Sequence, residues 1–142
     1  WGLVINKPIG LMPIALLIDP TLNTNEEREK LFTINVSVFW GGPVETKEIF
    51  ILHSNEYQSD TTKNYGSISI SQDYNILFDI AQNKGPEKSL IIFGYSGWGG
   101  GQLEGEMEKD HWILSNIDLN ITFDKYSHTK WNKAIKNSFI KI

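Results

Sequence analysis

The stretch SLIIFGYSGWGGGQLEGEM, Ser89 to Met107, restricts the fold of this chain more than any other. Ser89 to Phe93 is apolar at every position after its first, as a strand covered on both faces should be, and predicts the centre of a sheet. A glycine-rich turn follows. Gln102 to Asp110 then predicts a helix whose inner contacts are Leu103 and Met107, one turn apart, with its glutamates outward. Gly105 inside that helix costs about 1 kcal/mol relative to alanine. Strand, glycine turn and helix is also the arrangement that seats phosphates, so the loop must be weighed as a ligand site.

Its sequence lacks what such a site needs. No Gly-Lys-Ser/Thr follows the strand, and counted from Gly97 the third glycine of a dinucleotide fingerprint falls on Gln102. Glu104 and Glu106 already supply negative charge to the start of the helix, where an anion would otherwise be welcome. Read as a nucleophile elbow, Gly94-Tyr95-Ser96-Gly97-Trp98 places Trp98 where a second small residue is required. The enzymatic or small-molecule alternative is a cleft formed by Ser96, the backbone amides of Gly99 to Gly101, and His53. Small residues at a strand end are more often turn residues, and no catalytic residue is expected. His53, His111 and His128 stand far apart without paired spacing, and His111 falls near the inner stripe of its helix, so neither a metal nor a cofactor is expected. Two S-x-x-K strings, at Ser127 and Ser138, lack their companion motifs.

Trp98 is harder to place, because Gly97, Gly99, Gly100 and Gly101 leave it few neighbours for cover. It either folds back onto the sheet or stands partly exposed as an anchor for a partner, a position where tryptophan is over-represented. The candidate partner-binding residues are therefore Trp98, Gly99, Gly100, Gly101 and Gln102, with Gly41, Gly42 and Pro43 from the neighbouring GGPV turn. Trp40, Trp112 and Trp131 are expected in the core.

Elsewhere, Gly2 to Asn6 predicts a strand stopped by Lys7-Pro8, and Pro13 to Ile18 a short helix begun by proline. Asp19 to Lys30 is polar, a surface loop or short solvated helix. Val36 to Trp40 and Ile49 to His53 predict strands joined as neighbours through Gly41-Gly42-Pro43. Tyr65 to Ser71 alternates, Ile68 and Ile70 toward the core and Ser67, Ser69 and Ser71 away from it. Ile76, Leu77, Ile80 and Ala81 form a helical stripe that Ser71 is placed to cap and that Asn83-Lys84-Gly85-Pro86 ends. Ile117 to Phe123 predicts another strand. Trp131, Ala134, Ile135, Phe139 and Ile142 give the tail an apolar helical face ringed by lysines.

The chain's 142 residues suit one domain, residues 1–142, and no apolar run approaches the roughly 18 residues of a membrane span. Cysteine is absent, which excludes disulfides and thiolate chemistry and makes the cytoplasm the default location. The net charge is −4 and Arg28 is the single arginine, so direct reading of duplex DNA is not expected. The five lysines from Lys125 to Lys141 leave nucleic-acid binding by the C-terminal helix as an alternative, although a lysine-rich outer face on a docked helix is the commoner arrangement.

Several strings together resemble the YqgE/AlgH family of bacterial proteins: GLVINKP at Gly2, GGPV at Gly41, FILHS at Phe50, GYSGWGGGQLEGEM at Gly94, and Trp112, with Asp118, Phe123 and Trp131 in place of the family's late acid, aromatic and tryptophan. The resemblance runs over nearly the whole chain. It implies an α+β fold with a mixed, bifurcated sheet that includes a small closed barrel, flanked by helices. It also implies that a strand and loop belonging before GLVINKP are missing from this chain. Members are commonly labelled transcriptional regulators while their biochemical role is unsettled. The expected function is that of a non-enzymatic module acting through a protein partner.

Overall fold

A computed structural model describes residues 1–18 and 25–138. Six strands form one mixed sheet: β1 (Pro8–Pro13), β2 (Asn35–Trp40), β3 (Val44–Ser54), β4 (Lys63–Tyr65), β5 (Ile68–Ser71) and β6 (Ser89–Tyr95). Their spatial order is β1-β2-β6-β3-β5-β4. The sheet is open, with β1 and β4 as its edges, so the expected closed barrel is not formed. β6 lies at the centre, as its apolar composition predicts, parallel to β2 and antiparallel to β3.

That placement overturns one expectation. β2 and β3 are not neighbours, because β6 is inserted between them, and residues 41–43 step across it instead of turning a hairpin. The first strand also starts later than expected. Gly2 forms only an isolated bridge to Ser96, and Pro8 opens β1 where it was expected to end a strand. An edge strand tolerates this, since proline has no N–H to give a missing neighbour.

Both faces of the sheet are covered by apolar packing. On one, Val38, Ile51 and Ile91 meet the 3-10 turn Ile14–Leu17, which Pro13 precedes, the end of α1 (Asn25–Leu31) and α2 (Tyr74–Ala81). On the other, Phe39, Phe50, Leu52, Leu90 and Ile92 meet Phe123, Leu3 and Ile5. Asp73, not Ser71, caps α2 by accepting from the Ile76 N–H. Of the polar stretch before α1, residues 19–24 lie outside the described residues, as do Phe139, Lys141 and Ile142 of the tail.

The expected strand from Ile117 is a short helix, α4 (Leu119–Thr122), preceded by α3 (Gln102–Glu108) and followed by α5 (Lys130–Lys136). Asp118 decides this, because its carboxylate accepts the Asn120 N–H and starts a helix instead of a ladder. Asp118→Ala is expected to lower stability by about 1 kcal/mol in denaturant unfolding.

The alternation in β5 is real, with Ile68 and Ile70 packed against the Phe50–Leu52–Phe123 cluster as expected, but the serine side is not turned to solvent. Ser69 and Ser71 are fully buried, more so than Ile68 and Ile70, which are partly buried. The buried serines face hydrogen-bonding groups, Asn64 for Ser69 and His53 with Thr62 for Ser71. A polar face can be the inner one when every hydroxyl finds a partner there.

Candidate functional site

The glycines of the opening stretch divide into two groups. Gly94, at the end of β6, has φ +73°, and a Cβ there would meet the Gly42 carbonyl oxygen at 2.5 Å. A Cβ on Gly41 would strike the Gly94 carbonyl and Ile92, and one on Gly42 the backbone of Tyr95. These three allow the chain after β2 to cross the end of β6 backbone against backbone. Gly41 is held there by its N–H to the Phe93 carbonyl, 2.7 Å, while its own carbonyl receives the Val4 N–H, 2.9 Å. Gly97, Gly99, Gly100 and Gly101 are different. Nothing lies within 4 Å of an added Cβ at Gly100 or Gly101, and of the four only Gly101, with φ +76°, has a backbone that demands glycine.

Trp98 leans back from this loop. Its ring lies over Gly2 and meets Trp112 edge-on, with centroids 5.8 Å apart. Both indoles donate to the same Glu106 oxygen, Trp112 at 2.7 Å and Trp98 at 3.3 Å. Gln102 donates to the other Glu106 oxygen and accepts the Gly99 N–H at 3.0 Å. The Trp112 donor, joined by those of Gln102 and Trp98, holds the Glu106 carboxyl below the usual carboxylate range. Gln102 and Glu106 of α3 thereby brace the glycine loop from its surface, and Trp98 is fixed half-buried with its neighbour Trp112 48% exposed.

An apolar groove continues from Gly2. One cleft of about 350 Å³ is lined by Trp1, Leu3, Ile68, Ile70 and Ile117, and a second of about 300 Å³ by Ser115, Asp118, Lys130 and Trp131. They share Ile5, Ile117 and Thr122. Trp1, Ile117 and Trp131 are each more than half exposed. Trp40, Trp112 and Trp131 are thus surface residues, contrary to expectation; the sheet faces are filled by aliphatic side chains and phenylalanines, leaving the indoles at the rim.

Ser96 and His53 are not brought together. Tyr95, next to Ser96, pairs with Val44 at one end of β3, and His53 pairs with Ser89 at the other. At about 3.4 Å per residue, this separates them by roughly 20 Å. The Ser96 hydroxyl donates to the Gly41 carbonyl, and the His53 ring is fully buried between the Ser54 carbonyl and the Ser71 hydroxyl. His111 is exposed beyond the end of α3, away from any inner stripe, and His128 is an exposed residue stacked edge-on against Tyr126.

Among the described tail lysines, Lys130 and Lys133 do different work. Lys133 pairs with Asp124 at 2.7 Å, and Lys130, only 3% exposed, donates to the carbonyls of Ile5 and Thr122 with its ammonium over the Phe39 ring. Burial pushes the Lys130 ammonium down to about 8, against the opposing pull of Asp124. Among the described residues, no helix is long and apolar enough to cross a membrane.

An open mixed sheet whose central strand ends in a braced, tryptophan-bearing glycine loop defines a class of α+β proteins, and comparison with known proteins identifies it. The chain belongs to the AlgH-like family, whose model matches residues 1–142. It is 36% identical over 135 residues to a UPF0301 protein of Pseudomonas putida, covering 94% of this chain and 69% of that one. Against a UPF0301 protein of Bordetella pertussis it is 34% identical over 137 residues, covering 95% and 65%. The solution structure of the AlgH protein from Pseudomonas aeruginosa superposes with a TM-score of 0.75 at 33% identity, covering 95% of this chain and 70% of that one. The chain therefore spans about two thirds of the length of these relatives.

Proposed function

We propose that this chain is a non-enzymatic cytoplasmic module that acts by binding a protein partner, with Trp98 and Trp112 at the centre of the contact face. Supporting this reading above all is the pair of indoles held on one carboxylate. Rigid aromatic groups already fixed in place lose little freedom on association, which is how a few residues come to dominate binding. Gly41, Gly42 and Pro43 shape the floor behind the loop, Gly99 to Gly101 keep side chains out of the way, and Gln102 braces the loop through the Gly99 N–H. The groove from Trp1 to Trp131 extends the same apolar surface. A regulatory role runs, on this reading, through the partner and not through direct contact with DNA, consistent with one arginine and with the engagement of Lys130 and Lys133 inside the fold.

Affinity purification from the native cell compares wild type with Trp98→Ala and Trp112→Ala. Loss of a central anchor worth about 2 kcal/mol or more should reduce recovery of a specific partner by roughly thirtyfold while circular dichroism shows a folded protein. Equal recovery by folded variants would remove both tryptophans from the contact.

A further inference from the structure

The apolar groove between Trp1 and Trp131 has two unlike ends. At one, the cleft beside Leu3 is walled by Ile68 and Ile70 of β5. Tyr65 and Lys63 of β4 stand on the same face, because they pair directly with those isoleucines. Lys63 is exposed, and among the described residues its ammonium has no partner. At the other end the cleft is bounded by Trp131 and Asp118. One Asp118 oxygen starts α4, while the second receives only a 3.5 Å contact from the Asn137 amide and has room for another donor. The lysine at this end adds no surface charge, since the Lys130 ammonium is turned inward onto the Ile5 and Thr122 carbonyls. Ile117 stands between the clefts and lines both. The strip therefore runs from a cation, across apolar side chains, to an acid.

That order becomes complementary to itself when it is reversed. Turning a second copy about a two-fold axis near Ile117 sets each Lys63 toward an Asp118 and each Trp131 toward the cleft between Leu3 and Ile70. The two Ile117 side chains meet on the axis, and one patch serves both copies, as an isologous contact requires. Without the turn, like ends would meet like. An anionic lipid surface fits the strip less well, because it favours lysines throughout and Asp118 occupies one end.

The exposed area is of the size a dimer needs. Trp1, Trp131, Ile117 and Tyr65 are 58%, 61%, 62% and 46% exposed. At roughly 150–250 Å² for a whole aromatic side chain and about 100 Å² for an isoleucine, these four leave on the order of 400 Å² of apolar surface in water. A stable dimer buries about 800 Å² per copy, of which roughly 500 Å² is apolar. The uncovered parts of Ile68 and Ile70 bring the strip close to that.

We propose that the groove is a homodimer interface, in which Trp131 of each copy seats in the Leu3–Ile70 cleft of the other and Lys63 pairs with the other copy's Asp118 across a two-fold axis near Ile117. The indole pair of Trp98 and Trp112 and the groove then serve different neighbours.

Sedimentation velocity of the purified 142-residue chain tests this in the absence of any partner of the indole pair. Between about 1 and 100 µM, where a contact of this size is measurable, the dimer should fill with concentration. Trp131→Glu removes two anchors per dimer and should weaken it roughly a hundredfold while circular dichroism shows a folded chain. Ile117→Glu, which sets two acids on the axis, carries the same expectation should Trp131→Glu fail to fold. Lys63→Glu should weaken the dimer about tenfold by placing acid against acid at both ends. In the presence of Asp118→Asn, which keeps a good cap for α4, Lys63→Glu should cost no more than about twofold. A chain that stays monomeric at the highest concentration overturns the proposal. If that monomer floats with vesicles of anionic phospholipid, the groove is a lipid surface, and if it does not, the groove is left to the protein that Trp98 and Trp112 bind. A dimer indifferent to the folded Trp131 and Ile117 variants overturns the proposal too, as does a Lys63→Glu loss that Asp118→Asn leaves unchanged.

Discussion

Gly94→Ala is expected to destabilise the protein by roughly 3 kcal/mol, from about 1–2 kcal/mol for a side chain in the left-handed region and 1–3 kcal/mol for overpacking. The obstacle is the Gly42 carbonyl, part of a crossing that backbone hydrogen bonds hold on both sides, so little relaxation is available. Gly41→Ala meets the Gly94 carbonyl and the buried Ile92 and should fall in the same range. Gly100→Ala, whose Cβ meets nothing within 4 Å, should change stability by less than about 0.5 kcal/mol. Urea unfolding of the three variants separates the two groups. Similar losses in all three would mean that the loop glycines are as constrained as the crossing.

Lys130→Met is the second substitution with a large expected effect. Methionine fills a similar volume but leaves the Ile5 and Thr122 carbonyls without their donor, a loss of roughly 1–3 kcal/mol at neutral pH. The sign of the pH dependence follows from the lowered lysine value. In the folded state burial brings it to about 8, whereas in the unfolded chain it is 10.5. Between these values the unfolded state binds more protons, so wild-type stability rises with pH. The neutral amine still has two N–H groups for the two carbonyls. The variant has nothing to titrate there, so its deficit should widen from about pH 8 to 10.5. A deficit that stays flat across that window would show that the ammonium is not desolvated as its burial indicates.

Features carried by local patterns were legible in the sequence. The apolar run of β6, the helical stripe of α2 and the proline before Ile14 each lie where those patterns put them. What escaped depends on distant partners. Period-two alternation in β5 placed Ile68 and Ile70 on a core side but could not show that the serine side is covered as well, by a hydroxyl-rich loop and His53. The crossing of residues 41–43 over β6 could not be read from adjacency, because the strand that separates β2 from β3 arrives some fifty residues later in the chain. At the candidate site, Trp98 stood out by its glycine neighbours. Glu106 looked like one more outward acid, and only its position between Trp98 and Trp112 reveals its role. Lys130 was hidden among the tail lysines, since composition cannot distinguish a solvated ammonium from one held by two carbonyls.

Inserting β6 between β2 and β3 also dictates the order in which the molecule can assemble. The hairpin of β4 and β5 and its pairing with β3 use nearby residues, whereas the β2–β6 ladder must close a long loop before any of its bonds form. During synthesis the inner edges of β2 and β3 therefore wait, unpaired and apolar, until residue 95 has emerged. That interval exposes the chain to association with its own copies and is where a chaperone would be of most use.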